Sequence, residues 1–164
     1  MPDAETPPGL VEVQLLGLPV PLWARSQEQH DALLREFALI ASDGAAHQLP
    51  ARLLALLEDL DREYGDLSGE QQRRLDRAAR DGVDSIDLVY RVPPGVGPAA
   101  LALSALLDEA DDYCQQGRHL LTLGAEPDVV AFRRWYLRAF AEQTAALPAV
   151  PWATAHGTGA APAT

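Results

Sequence analysis

"SIDLVYRV", residues 85–92, decides how this chain is built. Ile86, Leu88, Tyr90 and Val92 alternate with Asp87, Val89 and Arg91. A period of two puts successive side chains on opposite faces of an extended strand, one face dry and one wet. Pro93, Pro94 and Gly95 then end the segment. "VEVQLLGL", residues 11–18, has the same rhythm, with Val11, Val13 and Leu15 opposed to Glu12 and Gln14. "HLLTL", residues 119–123, reads as a third, short strand. A sheet covered on both faces would show continuous apolar runs instead. The alternation therefore predicts an α/β fold of the α+β kind, with a small three-stranded sheet and helices packed mainly on one face.

The helices have the complementary signature, apolar residues at three- and four-residue steps. Trp23, His30, Leu33, Leu34, Phe37 and either Ile40 or Ala41 form one stripe. Leu53, Leu56, Leu57, Leu60 and Tyr64 form a second, with Gly65 as its stop. Ser68 and Gln71 stand in capping-box spacing before a polar helix with only Leu75, Ala78 and Ala79 to bury. A helix over 97–117 carries Leu103, Leu106, Leu107, Ala110, Tyr113 and Cys114, and a last one spans 127–146. The predicted order is β-α-α-α-β-α-β-α. One globular domain over 10–147 is expected, flanked by disordered segments at 1–9 and 148–164, both of loop-forming composition.

The chain has 164 residues and a net charge of −11, and all 13 of its basic side chains are Arg. Nucleic-acid affinity rests largely on neutralising phosphates with basic side chains, so this balance argues against nucleic acid and anionic membranes. No apolar run approaches the ~20 residues that span a bilayer. "MPDAETPPGL" lacks the basic and apolar regions of a secretory leader. A cytoplasmic location is the expectation, and the lone Cys114 has no partner for an internal disulfide.

No glycine-rich phosphate loop or G-x-S-x-G elbow is present. One Cys and four scattered His give no zinc spacing. No catalytic residue, metal or cofactor is therefore assigned, and a non-enzyme is favoured. The densest aromatic and basic stretch is "VAFRRWYLRAF", residues 130–140. Phe132, Ala139 and Phe140 lie on a core stripe, with Arg133, Arg134 and Arg138 off it. Trp135 and Tyr136 are adjacent, so at least one ring is expected at the margin beside the arginines. Trp, Tyr and Arg are enriched in binding hot spots. Arg133, Arg134, Trp135, Tyr136 and Arg138 are thus candidate partner-binding residues, with the acidic face Asp108, Glu109, Asp111 and Asp112 as a second docking element. The competing reading is that these arginines pair with the chain's own carboxylates on the 97–117 helix. A small-molecule pocket between sheet and helices is the alternative, with His30, Tyr90 and Tyr113 as its first residues. His30 also reads as a core-edge side chain, and Cys114 as an inert apolar one.

"LLGLPVPLWARSQEQHDALLREFALI", "IDLVYRVPP", "LLDEADDYC", and "LLTL" with "VVAFRRWYLRAF" resemble a family of actinobacterial proteins of no established activity. The resemblance covers most of residues 11–146. Genes of that family often lie near those for kinase-type anti-sigma factors and their STAS-domain antagonists. The resemblance implies a regulatory neighbourhood; together with the missing catalytic motifs, the aromatic and Arg residues at 133–138 and the acidic face at 108–112, it leads to the expectation of a non-enzymatic regulatory module that binds a protein partner, such as an anti-sigma factor or its antagonist. It carries over no catalytic residues. The Asp-x-Gly-x-Gly nucleotide loop and the Asp-Ser-Ser-Gly phosphoacceptor motif of those two regulators are missing here.

Overall fold

Two antiparallel strands, β1 (Val11–Pro19) and β2 (Ser85–Val92), form a ribbon in which Val13 faces Tyr90 and Leu15 faces Leu88. The computed structural model describes residues 9–42, 48–116 and 124–157. Val13, Leu15, Leu18 and Leu88 are fully buried on the inner face, and Tyr90 and Val92 nearly so. Glu12, Gln14, Asp87, Val89 and Arg91 face outward, as the alternation predicts. The register shifts between Leu15 and Leu18, where Gly17 takes a φ of 64° that a side chain would resist. Gly17 N–H donates to Asp87 Oδ1 at 2.7 Å, and the bulge returns Leu18 to the inner face.

Helices supply the other layer. They are α1 (Val20–Ser42), α2 (Gln48–Tyr64), α3 (Gly69–Arg80), α4 (Val96–Gln115), α5 (Pro127–Thr144) and the short α6 (Trp152–Ala155), with a 3₁₀ turn at Gly65–Leu67. Trp23, Leu33, Phe37, Leu53, Leu75, Leu106, Leu107, Phe132 and Phe140 fill one continuous core against the inner sheet face. The fold is thus α+β and mainly helical, with a two-stranded sheet among the described residues. The third strand expected at 119–123 lies outside the described residues, so the described order is β-α-α-α-β-α-α-α.

A two-stranded ribbon has two open edges, whose backbone groups need partners. Gln143 of α5 meets one edge. Gln14 N–H donates to Gln143 Oε1, and Gln143 Nε2 donates to the Gln14 carbonyl, both at 2.8 Å. The buried amide makes the pair of bonds that a further strand would make at that residue. On the opposite edge, Gln71 Nε2 donates to the Val89 carbonyl at 2.7 Å, and Arg74 donates to that of Asp87 at 3.3 Å. The capping box expected at Ser68 and Gln71 is therefore not formed. Ser68 makes no side-chain cap and donates to the Gly65 carbonyl, while Gln71 serves the sheet edge. Gln143→Leu keeps the volume but strands both backbone groups of Gln14. It is expected to cost about 1–3 kcal/mol in urea unfolding, with faster hydrogen exchange at the Gln14 amide.

Residues 148–157 do not leave the fold at 147 as composition suggested. Trp135 Nε1 donates to the Val150 carbonyl at 2.9 Å. Trp152 then packs edge-on against Trp135 and Phe132, with centroids 5.5 and 5.9 Å apart. One large ring gains enough by burial to hold an otherwise featureless segment. The remaining parts of the expected disordered ends, 1–8 and 158–164, lie outside the described residues.

Candidate functional site

Two of the three arginines of α5 reach carboxylates on α4, and Arg133 is the one enclosed there. Arg133 donates to Asp108 Oδ1 at 2.8 Å and to Asp111 Oδ2 at 2.6 Å. The Arg133 and Asp111 side chains are only 11% and 10% exposed. Arg134 also reaches Asp108, at 3.2 Å, Arg138 lies 3.8 Å from Glu142, and Glu109 lies 3.5 Å from Arg52. Asp112 remains exposed. Arg133 and Arg134 thus make the internal pairing with the 97–117 helix, because α4 and α5 pack directly on each other, while Arg138 pairs within α5.

The two adjacent rings part company: Trp135 is buried, while Tyr136 is half-buried and borders a cavity beside Arg133. Trp135 is buried under α6. Tyr136 points the other way, and its hydroxyl is 2.9 Å from that of Tyr90. A helix clasped on two sides can bury neighbouring rings in different directions. Among the predicted partner-binding residues of α5, only Arg134 and Arg138 keep side chains more than half exposed.

The Tyr90–Tyr136 contact instead marks a pocket. A cavity of about 340 Å³ opens between α2, β2, α4 and α5. Its walls are apolar, including Leu57, Leu60, Val92, Val96, Ala100, Leu103 and Phe140. Its polar groups are the hydroxyls of Tyr64, Tyr90, Tyr136 and Ser68, together with Asp61. Tyr90 packs edge-on against Phe140 and Tyr136, with centroids 5.1 and 6.4 Å away. Burial pushes the phenols of Tyr64 and Tyr90 up, and that of Tyr136 far up. All three therefore stay neutral at physiological pH and can donate or accept a hydrogen bond.

A second cavity, of about 160 Å³, is bordered by His30, Trp23, Asp111, Arg133 and Phe132. Tyr136, Leu103 and Leu137 border both cavities. Of the three residues expected to share one pocket, His30 thus lies in the smaller cavity and Tyr90 in the larger. Tyr113 lines neither, and packs edge-on against Phe37 at 5.9 Å. Tyr64 and Asp61 are the pocket residues that sequence reading missed. Tyr64 was legible only as part of the buried stripe of α2.

His30 is lowered by burial, with Arg133 adding and Asp31 opposing. The Cys114 thiol is pushed up to about 11 by burial, reinforced by Asp111 and Glu36. The signs set a pH profile. A depressed His30 contributes stability above its ordinary value, lost as pH falls below about 6.5. The raised Cys114, Tyr90 and Tyr136 contribute stability at low and neutral pH, lost as pH rises above about 9. Urea midpoints across pH 5–10 are expected to form a plateau between those limits, with Cys114 slow to alkylate throughout it. A midpoint that climbs from pH 8 to 10 would contradict this.

Among the described residues, no group of three His, Cys, Asp or Glu side chains could hold a metal ion, and no helix is long and apolar enough to cross a membrane. A further feature escaped the sequence reading. Arg73, Arg77 and Arg80 recur at steps of four and three along α3, all exposed and without an ion pair among the described residues. Four arginines within residues 73–80 of so acidic a chain were the available signal. No protein-family model, curated protein or solved structure matches the chain.

Proposed function

We propose that the chain is a non-enzymatic small-molecule-binding protein whose ligand enters the pocket between α2, β2, α4 and α5. The observation that carries this reading is an apolar cavity of about 340 Å³ with three neutral phenols among its few polar groups. Ligand sites are typically clefts of about 300–1,000 Å³, mostly apolar, with a few placed polar groups. The phenols orient a ligand by hydrogen bonds, and at neutral pH they are too weakly basic to abstract protons.

A thermal-shift screen of metabolites tests this. A ligand at about 100 Kd stabilises the native state by about 2.7 kcal/mol, a rise in Tm of roughly 5–10 °C for a domain of this size. Ala100→Phe, which places a ring in the cavity, should abolish the response. A broad library without a hit, or hits that stabilise the variant equally, would count against the pocket.

The α3 arginines favour a second reading, in which the chain is a regulatory module that docks an acidic protein surface. Its partner would be of the class the resemblance implies, an anti-sigma factor or a STAS-domain antagonist. Titration calorimetry with both proteins from the source genome is the test. Arg73, Arg77 and Arg80 all changed to Glu should weaken the complex by roughly tenfold or more, since charge complementarity governs such contacts. Silence with both partners removes this reading.

A further inference from the structure

We infer that the pocket selects its ligand by charge: it takes a hydrophobic amine and rejects the carboxylate of the same shape. This rests on the ligand-binding reading above and names the chemical class that the site fits.

The polar groups of the pocket are four hydroxyls and one carboxylate, and among the described residues no Arg or His lines it. An anion entering it would shed water and meet no counter-charge, at high cost. A cation meets the opposite situation. Asp61 stands at the rim, one helical turn before Tyr64, with its carboxylate folded over the turn at Gly65. A β-carbon at Gly65 would lie 2.8 Å from Asp61 Oδ1, so glycine there lets the carboxylate rest against the turn, and a side chain would push it aside. Asp61 has no ion pair among the described residues, because its neighbour Arg62 bonds Glu58 and Asp59 instead. The carboxylate is therefore available.

Behind it stands an aromatic wall. Tyr90, Tyr136 and Phe140 pack with centroids 5.1–6.4 Å apart, and Tyr64 completes the lining. Aromatic faces attract ammonium groups, most strongly where water is partly excluded. The net charge of −11 adds a field that draws cations toward the surface and repels anions. The arrangement therefore fits an ammonium group held between Asp61 and the rings, with its apolar body toward Val96, Ala100 and Leu103.

Three probes with one body separate charge from shape: 4-phenylbutylamine, 4-phenylbutanol and 4-phenylbutyrate, titrated calorimetrically at pH 7.4. The amine should bind about fivefold tighter than the alcohol, the scale of one partly exposed ion pair. The carboxylate should bind roughly tenfold weaker than the amine or worse. Asp61→Asn should bring the amine to the level of the alcohol and leave the alcohol unchanged. Ala100→Phe should weaken all three. A carboxylate that binds as well as the amine, or an amine preference that survives Asp61→Asn, overturns the charge selection while the pocket stands. If none of the three binds, or Ala100→Phe changes nothing, the pocket reading fails and the inference with it. Asp61→Asn is a surface change, so the charge comparison stays readable even if Ala100→Phe does not fold.

Discussion

Arg133→Ala is expected to destabilise the domain by about 3–5 kcal/mol, the usual cost of removing one partner from a buried ion pair. Among the described residues, Asp111 would keep only the Ala125 N–H, at 3.3 Å, to satisfy a buried carboxylate. Asp111→Ala should cost a similar amount, because it leaves the guanidinium enclosed with Asp108 as its remaining carboxylate. Replacing both at once, Arg133→Met with Asp111→Leu, should recover most of the loss, since neither charge then has to be stripped of water. A double-mutant cycle in urea gives the coupling directly. Arg133→Ala costing under about 1 kcal/mol would mean that the pair behaves like an exposed one. The inward placement of Arg133 would then be wrong.

The second large effect separates two neighbours in one strand. Leu88→Asp should abolish the cooperative unfolding transition, whereas Val89→Asp should change stability by no more than about 1 kcal/mol. Leu88 is fully buried and Val89 is 42% exposed. At position 88 the substitution loses about 2–5 kcal/mol of apolar packing and forces an unpaired carboxylate into the core at a further cost of several kcal/mol. Together these approach the whole stability of a domain, about 5–15 kcal/mol. At position 89 the new carboxylate points to water, with some loss of strand preference. Circular dichroism melts of the two variants suffice. Equal effects at both positions would mean that the sheet is not covered on one side alone.

The sheet face and most helices were legible because their signals are local. Leu88 and Tyr90 are inner-face residues by period alone, and Trp23, Leu33 and Phe37 fall on one helical stripe. The failures all involve partners distant in sequence. Gln143 reads as a polar residue at a helix end, and nothing near it announces Gln14, 129 residues away. Trp152 sits in a stretch whose composition signals disorder, yet its ring finds Trp135 and Phe132. Period-based reasoning gives a helix one buried side, so it could not show that Trp135 is covered by α6 while Tyr136 turns the other way toward Tyr90. Residues 119–123 lie outside the described residues, and their strand reading stands as an expectation.

The candidate site was legible only in part. Tyr90 was singled out as a pocket residue and His30 beside it, yet they border different cavities separated by Tyr136. The larger cavity draws its lining from α2, β2, α4 and α5. No single stretch carries it, and no periodicity reports which stripe residues leave a void between them. The arginines of α5 attracted attention through their type, and their carboxylate partners on α4 account for the strongest of those contacts.

The tyrosines offer the most direct test of the pocket. The chain has four, of which Tyr64, Tyr90 and Tyr136 line the cavity, while Tyr113 packs on Phe37 away from it. Ring-¹³C spectra recorded during titration with 4-phenylbutylamine should show saturable shifts for Tyr64, Tyr90 and Tyr136, with Tyr113 unmoved. Four stationary resonances, or a Tyr113 that shifts as far as the others, would contradict the site.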